Sequence, residues 1–151
     1  MGEKKSITLK VKKLPHFSGP LPEYKSALAS GFDIHACLER PIFLKPQERG
    51  LIPTGLSFEI PEGFELQARP RSGLALKKGL TLLNTPGTID ADYRGEIKIL
   101  VINSGTEQIT ITDQERIAQI VLCPVFQAQF EVSESLTETS RGEGGFGSTG
   151  V

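Results

Sequence analysis

Hydrophobic and polar residues alternate along several short stretches of the chain. The alternation runs through 7–11, 56–60 and 64–68, where every second residue is apolar and the residues between are charged or polar. Successive side chains of a β-strand point to opposite faces of a sheet. The pattern therefore predicts three half-buried strands.

Two further segments have a more continuous apolar character. These are 96–103, which contains the run Ile-Leu-Val-Ile, and 116–123, which contains Ile-Val-Leu-Cys. Strands that are covered on both faces have runs of this kind. We expect these two segments to be the central strands of their sheets.

Turn-forming residues leave little room for helices. The 151 residues include 16 glycines and 10 prolines, which divide the chain into short pieces. Only 72–78 has the character of a helix, and it is brief. Many short strands with frequent turn signals predict an all-β fold, a jelly-roll-like barrel or sandwich with one short helix.

Composition narrows the class of protein further. A chain of 151 residues has the length of one domain and can bury a core. The 17 Lys and Arg nearly balance the 18 Asp and Glu, which disfavours a nucleic-acid-binding surface. No apolar run approaches the roughly 20 residues that cross a bilayer, and the N-terminal residues lack a secretion signal. We expect a cytoplasmic protein with no nucleic-acid or membrane partner.

Cysteine and histidine chemistry is disfavoured. Cys37 and Cys123 share no zinc-binding spacing with His16 and His35. Cys123 follows an apolar run and His35 lies in an alternating strand pattern, which favours structural positions over a Cys–His nucleophile pair. We expect two reduced thiols in the core.

The character of the chain changes at Ser133. Beyond this residue the chain is rich in glycine and has few large apolar side chains. Because such a segment cannot form a core, the sequence predicts one β domain at 1–132 and a C-terminal arm at 133–151. Composition alone fits a disordered tail. Arg141 and Phe146, a cation and an aromatic ring among glycines, favour an arm that closes over a ligand.

One candidate anion site lies in a locally positive stretch of the chain. Residues 69–98 carry six basic and three acidic side chains. Within them Arg71, Ser72 and Gly73 open the predicted helix with a guanidinium, a hydroxyl and backbone N–H groups, which favours bound phosphate. The same residues also fit an ordinary helix start, since they lack the lysine and the spacing of a P-loop.

A second candidate site combines a turn signal with polar side chains. Pro86 and Gly87 predict a hairpin whose tip exposes backbone N–H and C=O groups to a planar base. The Asn84 amide is both donor and acceptor, as the imide edge of uracil requires. Asp90 either caps a turn or activates a water beside a bound phosphate. Tyr93 is placed to pack flat on a sugar.

Two polar residues interrupt apolar strands. Asp33 is a carboxylate whose burial requires a partner, either an arginine or a water on a metal ion. Gln119 is an amide that likewise requires hydrogen-bond partners. Both residues also fit purely structural polar networks.

Five segments together closely resemble the ordered motifs of the homotrimeric dUTPases, and the resemblance spans nearly the whole chain. They are SGFDI (30–34), RPRSGLA (69–75), GTIDADYRG (87–95), ERIAQ (115–119) and RGEGGFGSTG (141–150). The resemblance implies a jelly-roll-like β subunit of the β-clip type. It also implies a homotrimer in which the C-terminal arm of one chain completes an active site between others. The implied reaction is hydrolysis of dUTP to dUMP and pyrophosphate, with Mg²⁺ held mainly by the triphosphate.

The resemblance also implies a role for each matching position. Asp90 would activate the attacking water, and Tyr93 would stack on deoxyribose and exclude a 2′-hydroxyl. Uracil would be read at Asn84, Thr88, Ile89 and Lys98. Phosphates would be contacted by Arg71, Ser72, Gly73 and Gln119. The arm would cover the base and grip the outer phosphates with Arg141, Phe146, Gly147, Ser148 and Thr149. Asp33 would lie near the water shell of the metal.

Two alternative functions use the same scaffold. A dCTP deaminase, or a bifunctional deaminase-dUTPase, shares related motifs but requires a glutamate that moves protons at cytosine, and no additional pocket glutamate is evident in the sequence. The other alternative is a catalytically silent nucleotide sensor or protein-binding module. The intact Asp90 argues against this second alternative.

Overall fold

Short strands make up most of the computed structural model, which describes residues 6–147. In chain order the elements are β1 (Lys10–Lys13), β2 (Gly31–His35), β3 (Ile42–Leu44), β4 (Arg49–Pro53), β5 (Leu56–Glu59), β6 (Phe64–Arg69), α1 (Ser72–Lys78), β7 (Leu80–Leu82), β8 (Gly87–Ile89), β9 (Lys98–Asn103), β10 (Ile109–Ile111) and β11 (Arg116–Pro124). The all-β prediction and the short helix predicted at 72–78 are both confirmed.

The strands pair into antiparallel sheets that enclose one core. The sheet orders are β2-β11-β6-β8, β4-β9-β7, β1-β5 and β10-β3. Fully buried side chains such as Leu66, Val101 and Ile111 come from three different sheets and belong to a single hydrophobic cluster. Most neighbours within a sheet are distant in sequence, so the chain crosses repeatedly between sheets, as in a jelly-roll-like sandwich.

The two segments with continuous apolar character are central strands, as predicted. β9 lies between β4 and β7, and β11 lies between β2 and β6. In β11, Gln119 is opposite Asp33 of β2 on one side and opposite Arg69 of β6 on the other. The register of β11 thus brings three polar residues from separate sequence segments side by side.

The first predicted strand differs from the observed one. β1 starts at Lys10, later than the predicted stretch at 7–11, and all four of its residues are exposed. It pairs with β5 alone, with Lys10 opposite Glu59. The alternation of lysine and apolar residues reflects an edge strand on the surface, where lysines discourage further strand pairing.

The hairpin predicted around Pro86 and Gly87 is wrong. The chain does bend there, and the Thr85–Pro86 peptide bond is cis. However, β7 pairs with β9 and β8 pairs with β6, so the strands on either side of the bend belong to different sheets. The Pro-Gly signal identifies a turn, but it does not determine which strand each flanking segment pairs with.

Both cysteines are free. Cys37 is buried and its Sγ donates a hydrogen bond to the carbonyl of His16 at 3.0 Å, whereas Cys123 is only partly buried. Within residues 6–147 no three His, Cys, Asp or Glu side chains are close enough to hold a metal ion. In the same part of the chain no helix has the length and apolar character of a membrane span.

The sheet structure ends well before the C-terminus. The amide of Val125 donates to the carbonyl of Gly63 at 2.9 Å, and no strand or helix follows between 126 and 147. The part of the chain without helix or strand thus begins before 133, and the division of the chain at that residue stays a prediction. Several large apolar side chains of this segment are exposed: Phe126, Phe130, Val132, Leu136 and Phe146.

Candidate active site

A cavity of about 300 Å³ opens between the end of β8 and the start of β9. It is lined by Leu51, Thr88, Ile89, Asp90, Tyr93, Glu96, Ile97 and Lys98. Its volume is at the lower end of the range for small-molecule sites. We call it the nucleoside cavity, because it brings the predicted water activator Asp90 together with four residues predicted to read uracil or deoxyribose.

β8 contributes backbone groups to this cavity. It pairs with β6 through Thr88 opposite Gln67, and it is the last strand of its sheet in the described part of the chain. The outer side of an edge strand has N–H and C=O groups that no neighbouring strand uses. Thr88 and Ile89 therefore offer main-chain donors and acceptors of the kind that a planar base requires.

Asp90 is exposed at the start of a tight turn. The amide of Tyr93 donates to the Asp90 carbonyl at 3.1 Å. Arg94 stabilises the turn from outside, since its Nη1 donates to the Ala91 carbonyl at 2.6 Å. The Asp90 carboxylate accepts no hydrogen bond from any residue between 6 and 147, so it is available to a water molecule.

The ring of Tyr93 is fixed by its hydroxyl group. This hydroxyl donates to the carbonyl of Glu96 at 3.1 Å. A Cβ atom at Gly95 would lie only 2.3 Å from the same hydroxyl oxygen, so any other residue at this position would displace the ring. Gly95 is therefore required for the position that Tyr93 takes beside the cavity.

Asn84 does not line the nucleoside cavity. Its side chain is exposed, and its Nδ2 lies 3.1 Å from where a Cβ on Gly87 would be. Asn84 thus lies near the start of β8, whereas Asp90 follows its end. The predicted contact of Asn84 with uracil stays a prediction.

A cluster of charged side chains lies at the β2–β11 pair, and we call it the arginine cluster. Arg71 Nε is 3.1 Å from Asp33 Oδ1, and Arg116 Nη1 is 3.2 Å from Asp33 Oδ2. Of the two partners predicted for Asp33, the structure shows the arginine. With two guanidinium groups for one carboxylate, the cluster carries excess positive charge, which suits a phosphate.

His35 lies beside this cluster, opposite Arg116 in the β2–β11 register. Partial burial lowers the pKa of His35. The Asp33 carboxylate opposes this effect, while Arg116, Lys25 and Arg71 lower the pKa further. The neutral form of His35 is therefore favoured in the folded protein.

Gln119 connects β11 to the start of α1. Its Nε2 donates to the carbonyl of Pro70 at 3.0 Å, directly before Arg71. The helix begins after Arg71, and no side chain caps it. The backbone N–H groups of Ser72 and Gly73 are in the first turn, where N–H groups have no partner within the helix. These predicted phosphate contacts thus lie together, next to the arginine cluster.

The nucleoside cavity and the arginine cluster lie at opposite ends of β6. Arg69, at the end of β6, is opposite Gln119. Asp90 lines a cavity together with Glu65, near the start of the same strand. Four residues of extended strand span about 13 Å. One chain therefore does not place Asp90 beside the arginine cluster.

A larger cavity of about 670 Å³ also borders Asp90, but its chemistry does not suit phosphates. Its wall includes the acidic side chains of Glu62, Glu65 and Asp92 in addition to Asp90. Four carboxylates would repel a triphosphate. The smaller cavity is therefore the better candidate for a substrate-binding site.

The predicted arm residues make only local contacts. Arg141 Nε donates to the carbonyl of Gly144 at 2.8 Å, which closes a turn, and the Phe146 ring is fully exposed. Gly147 is the last described residue, and Ser148 and Thr149 lie outside the described residues. The structure brings none of the described arm residues to the nucleoside cavity of the same chain.

Comparison with known proteins decides the family. The family model for dUTPase matches residues 18–150, almost the whole chain. The chain belongs to the dUTPase family. Curated family members named deoxyuridine 5′-triphosphate nucleotidohydrolase include one from Bdellovibrio bacteriovorus, 66% identical over 95% of this chain and 97% of its own length. One from Chlamydia pneumoniae is 61% identical over 88% of this chain and 92% of its own length.

Solved dUTPase structures share the fold. The dUTPase of Staphylococcus bacteriophage 80alpha, solved with dUpNHpp, has a TM-score of 0.86 and 29% identity, covering 97% of this chain and 100% of its own. The dUTPase of phage phi11 of S. aureus, described for its coordination of a structural Mg(II) ion, has a TM-score of 0.77. At 24% identity, over 87% of this chain and 100% of its own, it shows the fold alone.

The sequence did not identify two charged residues of this dUTPase family member that the structure places at the candidate sites. Arg116 is the second partner of Asp33, and Glu96 lines the nucleoside cavity. Arg116 lies within one of the five motifs, and this was an available signal. No local pattern distinguishes Glu96 from a surface glutamate, because its burial depends on segments far away in the sequence.

Proposed function

We propose that the protein hydrolyses dUTP to dUMP and pyrophosphate. The observation that carries this proposal is the nucleoside cavity, in which the Asp90 carboxylate has no hydrogen-bond partner among residues 6–147 and lies next to Tyr93 and the backbone of β8. It supports the activity that family membership implies.

The nucleoside would bind in the cavity with its uracil against the backbone of Thr88 and Ile89. Lys98 lies in the same wall, and Tyr93 would pack on the deoxyribose and exclude a 2′-hydroxyl. A site built to pair with an imide edge leaves buried groups unpaired when cytosine binds. Discrimination of about 10⁴ is attainable in this way.

Asp90 would act as the general base. Its carboxylate takes a proton from water, and the resulting oxygen nucleophile attacks the α-phosphorus. The bond between the α-phosphorus and the bridging oxygen to the β-phosphorus breaks, so pyrophosphate leaves with that oxygen. The Asp90 carboxylate is exposed and has no partner in the described part of the chain, which supports this role.

The triphosphate would bind at the arginine cluster of another chain. Arg71, Ser72, Gly73 and Gln119 lie together at the start of α1, but about 13 Å of β6 separates them from Asp90. A site that contains both groups therefore needs a second copy of the chain. This separation supports a site shared between chains, as the homotrimer that the resemblance implies would provide.

The C-terminal arm would complete the site of a neighbouring chain. Its exposed apolar side chains have no cover in a single chain, and burial of such side chains is favourable. Arg141 and Phe146 would then contact the outer phosphates and the base, as would Gly147, Ser148 and Thr149. Closure of the arm would exclude bulk water from the reacting phosphorus.

Mg²⁺ would arrive with the substrate. The phosphate oxygens would be its main ligands, since Mg²⁺ prefers oxygen and is commonly bound through substrate phosphates. The ion would neutralise charge that develops on the phosphates. Both Asp33 oxygens contact arginines, and its predicted place near the water shell of the ion stays a prediction.

The first test is a product assay with Mg²⁺ and dUTP, dCTP, dTTP or UTP in separate reactions, with chromatographic analysis of products. We expect dUMP and pyrophosphate from dUTP alone.

Asp90→Asn should lower kcat by about 10² to 10⁴ while dUTP binding is retained. The neighbouring Asp92→Asn is the matched control, because Asp92 lines the larger cavity with the four carboxylates and does not line the nucleoside cavity. Equal losses in both variants would refute the role of Asp90.

The same assay separates the alternatives. Conversion of dCTP would indicate the deaminase, and no turnover would indicate the silent sensor. The structure corrects one sequence expectation here, because Glu96 does line the cavity. Its Oε1 is held by Gly55 and His16, so this position does not favour a proton shuttle at cytosine. The cytoplasmic location and the absence of a nucleic-acid partner stay predictions.

A further inference from the structure

Glu96 connects the wall of the nucleoside cavity to two other parts of the fold. Its side chain is only 14% exposed. Its Oε1 accepts a hydrogen bond from the backbone amide of Gly55 at 2.9 Å and contacts His16 Nε2 at 2.8 Å. Lys98 Nζ lies 3.9 Å from the other oxygen. The carboxylate thus joins the loop before β9 to the start of β5 and to the N-terminal segment.

The partners of Glu96 are themselves held in place. The amide of Leu14 donates to the carbonyl of Gly55 at 2.9 Å, and Cys37 Sγ donates to the carbonyl of His16 at 3.0 Å. His16 is therefore anchored through its backbone, while its ring reaches Glu96. The contact is part of the packed structure and joins positions 80 residues apart.

The backbone of Glu96 holds Tyr93. The Tyr93 hydroxyl donates to the Glu96 carbonyl at 3.1 Å, and the next amide, of Ile97, donates to Leu56 at 2.8 Å. Because the side chain of Glu96 fixes residue 96 from the other side, its carbonyl stays where the Tyr93 hydroxyl meets it. The position of the Tyr93 ring thus depends on a carboxylate that it does not touch.

We propose that Glu96, held by His16, is a positioning residue that fixes the Tyr93 ring in the nucleoside cavity. Its consequence for substrate choice rests on the proposed function, since a loosened Tyr93 ring would admit the 2′-hydroxyl of UTP. The effect of Glu96 on the position of the Tyr93 ring does not rest on the proposed function. Glu96 acts through Tyr93 and takes no part in the attack on phosphorus.

Tyrosine fluorescence tests the positioning role without substrate. The chain has two tyrosines and no tryptophan, so in a Tyr24→Phe background Tyr93 alone emits. A phenol that donates to a peptide carbonyl emits weakly. We therefore expect Glu96→Ala to raise the emission. The matched control is Glu48→Ala, because the Glu48 carboxylate also accepts a backbone N–H, from Lys45 at 2.7 Å, but lies away from the cavity.

Steady-state kinetics tests the consequence for selectivity. We expect Glu96→Ala to lower the ratio of kcat/KM for dUTP to that for UTP about tenfold, as the loss of one fixed hydrogen bond would. The change should come mainly from KM, with kcat for dUTP within about threefold. His16→Ala should act in the same direction, and His16→Gln should restore the ratio, since its amide can donate to Glu96.

Two outcomes would overturn the proposal. The first is that Glu96→Ala matches Glu48→Ala both in tyrosine emission and in the ratio of kcat/KM for dUTP to that for UTP. The second is that His16→Ala matches the parent in both measurements. This second outcome decides the question if Glu96→Ala does not fold. If the parent hydrolyses neither nucleotide, the proposed function fails, and the emission comparison still decides whether Glu96 positions Tyr93.

Discussion

Asn103 shows how much one buried polar residue can contribute to this fold. It is fully buried, and its Nδ2 donates to the carbonyls of Leu44 and Glu107 at 2.9 and 2.7 Å. Its Oδ1 accepts from the amide of Gly105 at 2.9 Å. One amide thus satisfies three backbone groups and joins β3, the end of β9 and the loop after it.

We expect Asn103→Ala to lower the free energy of unfolding by about 2 to 4 kcal/mol, because it leaves buried backbone groups without partners. Urea unfolding measures this difference. Asn84→Ala is the matched control, since Asn84 is exposed. It should leave stability nearly unchanged and weaken dUTP binding. Equal stability of the two variants would contradict the structural role of Asn103.

His35 predicts a pH effect on stability. Burial lowers its pKa in the folded protein below the unfolded value of 6.5. As the pH falls through about 6.5, the unfolded chain takes up a proton that the folded chain resists, so acid favours unfolding. His35→Gln should therefore lose less stability than the parent between pH 8 and pH 5.5. If the free energies of unfolding of His35→Gln and of the parent change equally across this pH range, the prediction is refuted.

At the scale of residues, the sequence predicted that a polar side chain has a partner better than it predicted which residue that partner is. Asp33 was expected to have an arginine or a metal-bound water, and the structure shows Arg71 and Arg116. Arg116 lies within one of the five motifs, but its contact with Asp33 depends on the register of β2 against β11, which the motif alone does not give. Glu96 was missed for the same reason, since its contacts come from residues distant in sequence.

The C-terminal arm gives a prediction at the scale of elements. A chain that ends at Ser140 should fold normally, because no strand or helix lies between 126 and the last described residue, Gly147. It should lose most of its activity, about a hundredfold or more, with the loss of a charged phosphate contact and of water exclusion. Activity with dUTP and a urea unfolding curve measure the two effects.

Glu143→Gln is the control for this truncation, because Glu143 lies in the removed segment, is exposed and has no predicted substrate contact. It should retain most of the activity. A truncated chain as active as the full one would contradict the role of the arm.

Elements were predictable where local pattern decides their structure. The helix at 72–78 and the central strands β9 and β11 follow from turn signals and apolar runs. The hairpin at Pro86 and Gly87 does not form, because pairing depends on which sheet can bury each strand. β7 contributes Leu80 and Leu82 to the core beside β9, whereas β8 pairs with β6.

At the scale of the whole molecule, the proposed active site combines Asp90 with the arginine cluster, which lie at opposite ends of β6 within one chain. We expect light scattering to give a mass close to three times the 16.4 kDa of one chain. Asp90→Asn and Arg71→Ala chains should each be inactive alone. When they are unfolded and refolded together, sites that combine an intact Asp90 with an intact Arg71 should restore about a quarter of the parent activity, as random assembly predicts.

The control for this mixing experiment is the double variant refolded with the Asp90→Asn chain, which contains no intact Asp90. It should stay inactive. If the mixture of single variants is equally inactive, the site lies within one chain and the shared-site proposal fails.

The length of β6 between Asp90 and the arginine cluster also has a genetic consequence. If each site takes its parts from different subunits, a faulty chain does not simply fail to contribute. A cell that makes normal chains together with chains deficient in both Asp90 and Arg71 would assemble oligomers in which a normal Asp90 meets a defective arginine cluster, so that the site of a normal chain is disabled. Such an allele would lower the activity of its normal counterpart per molecule made, and a gene deletion would not.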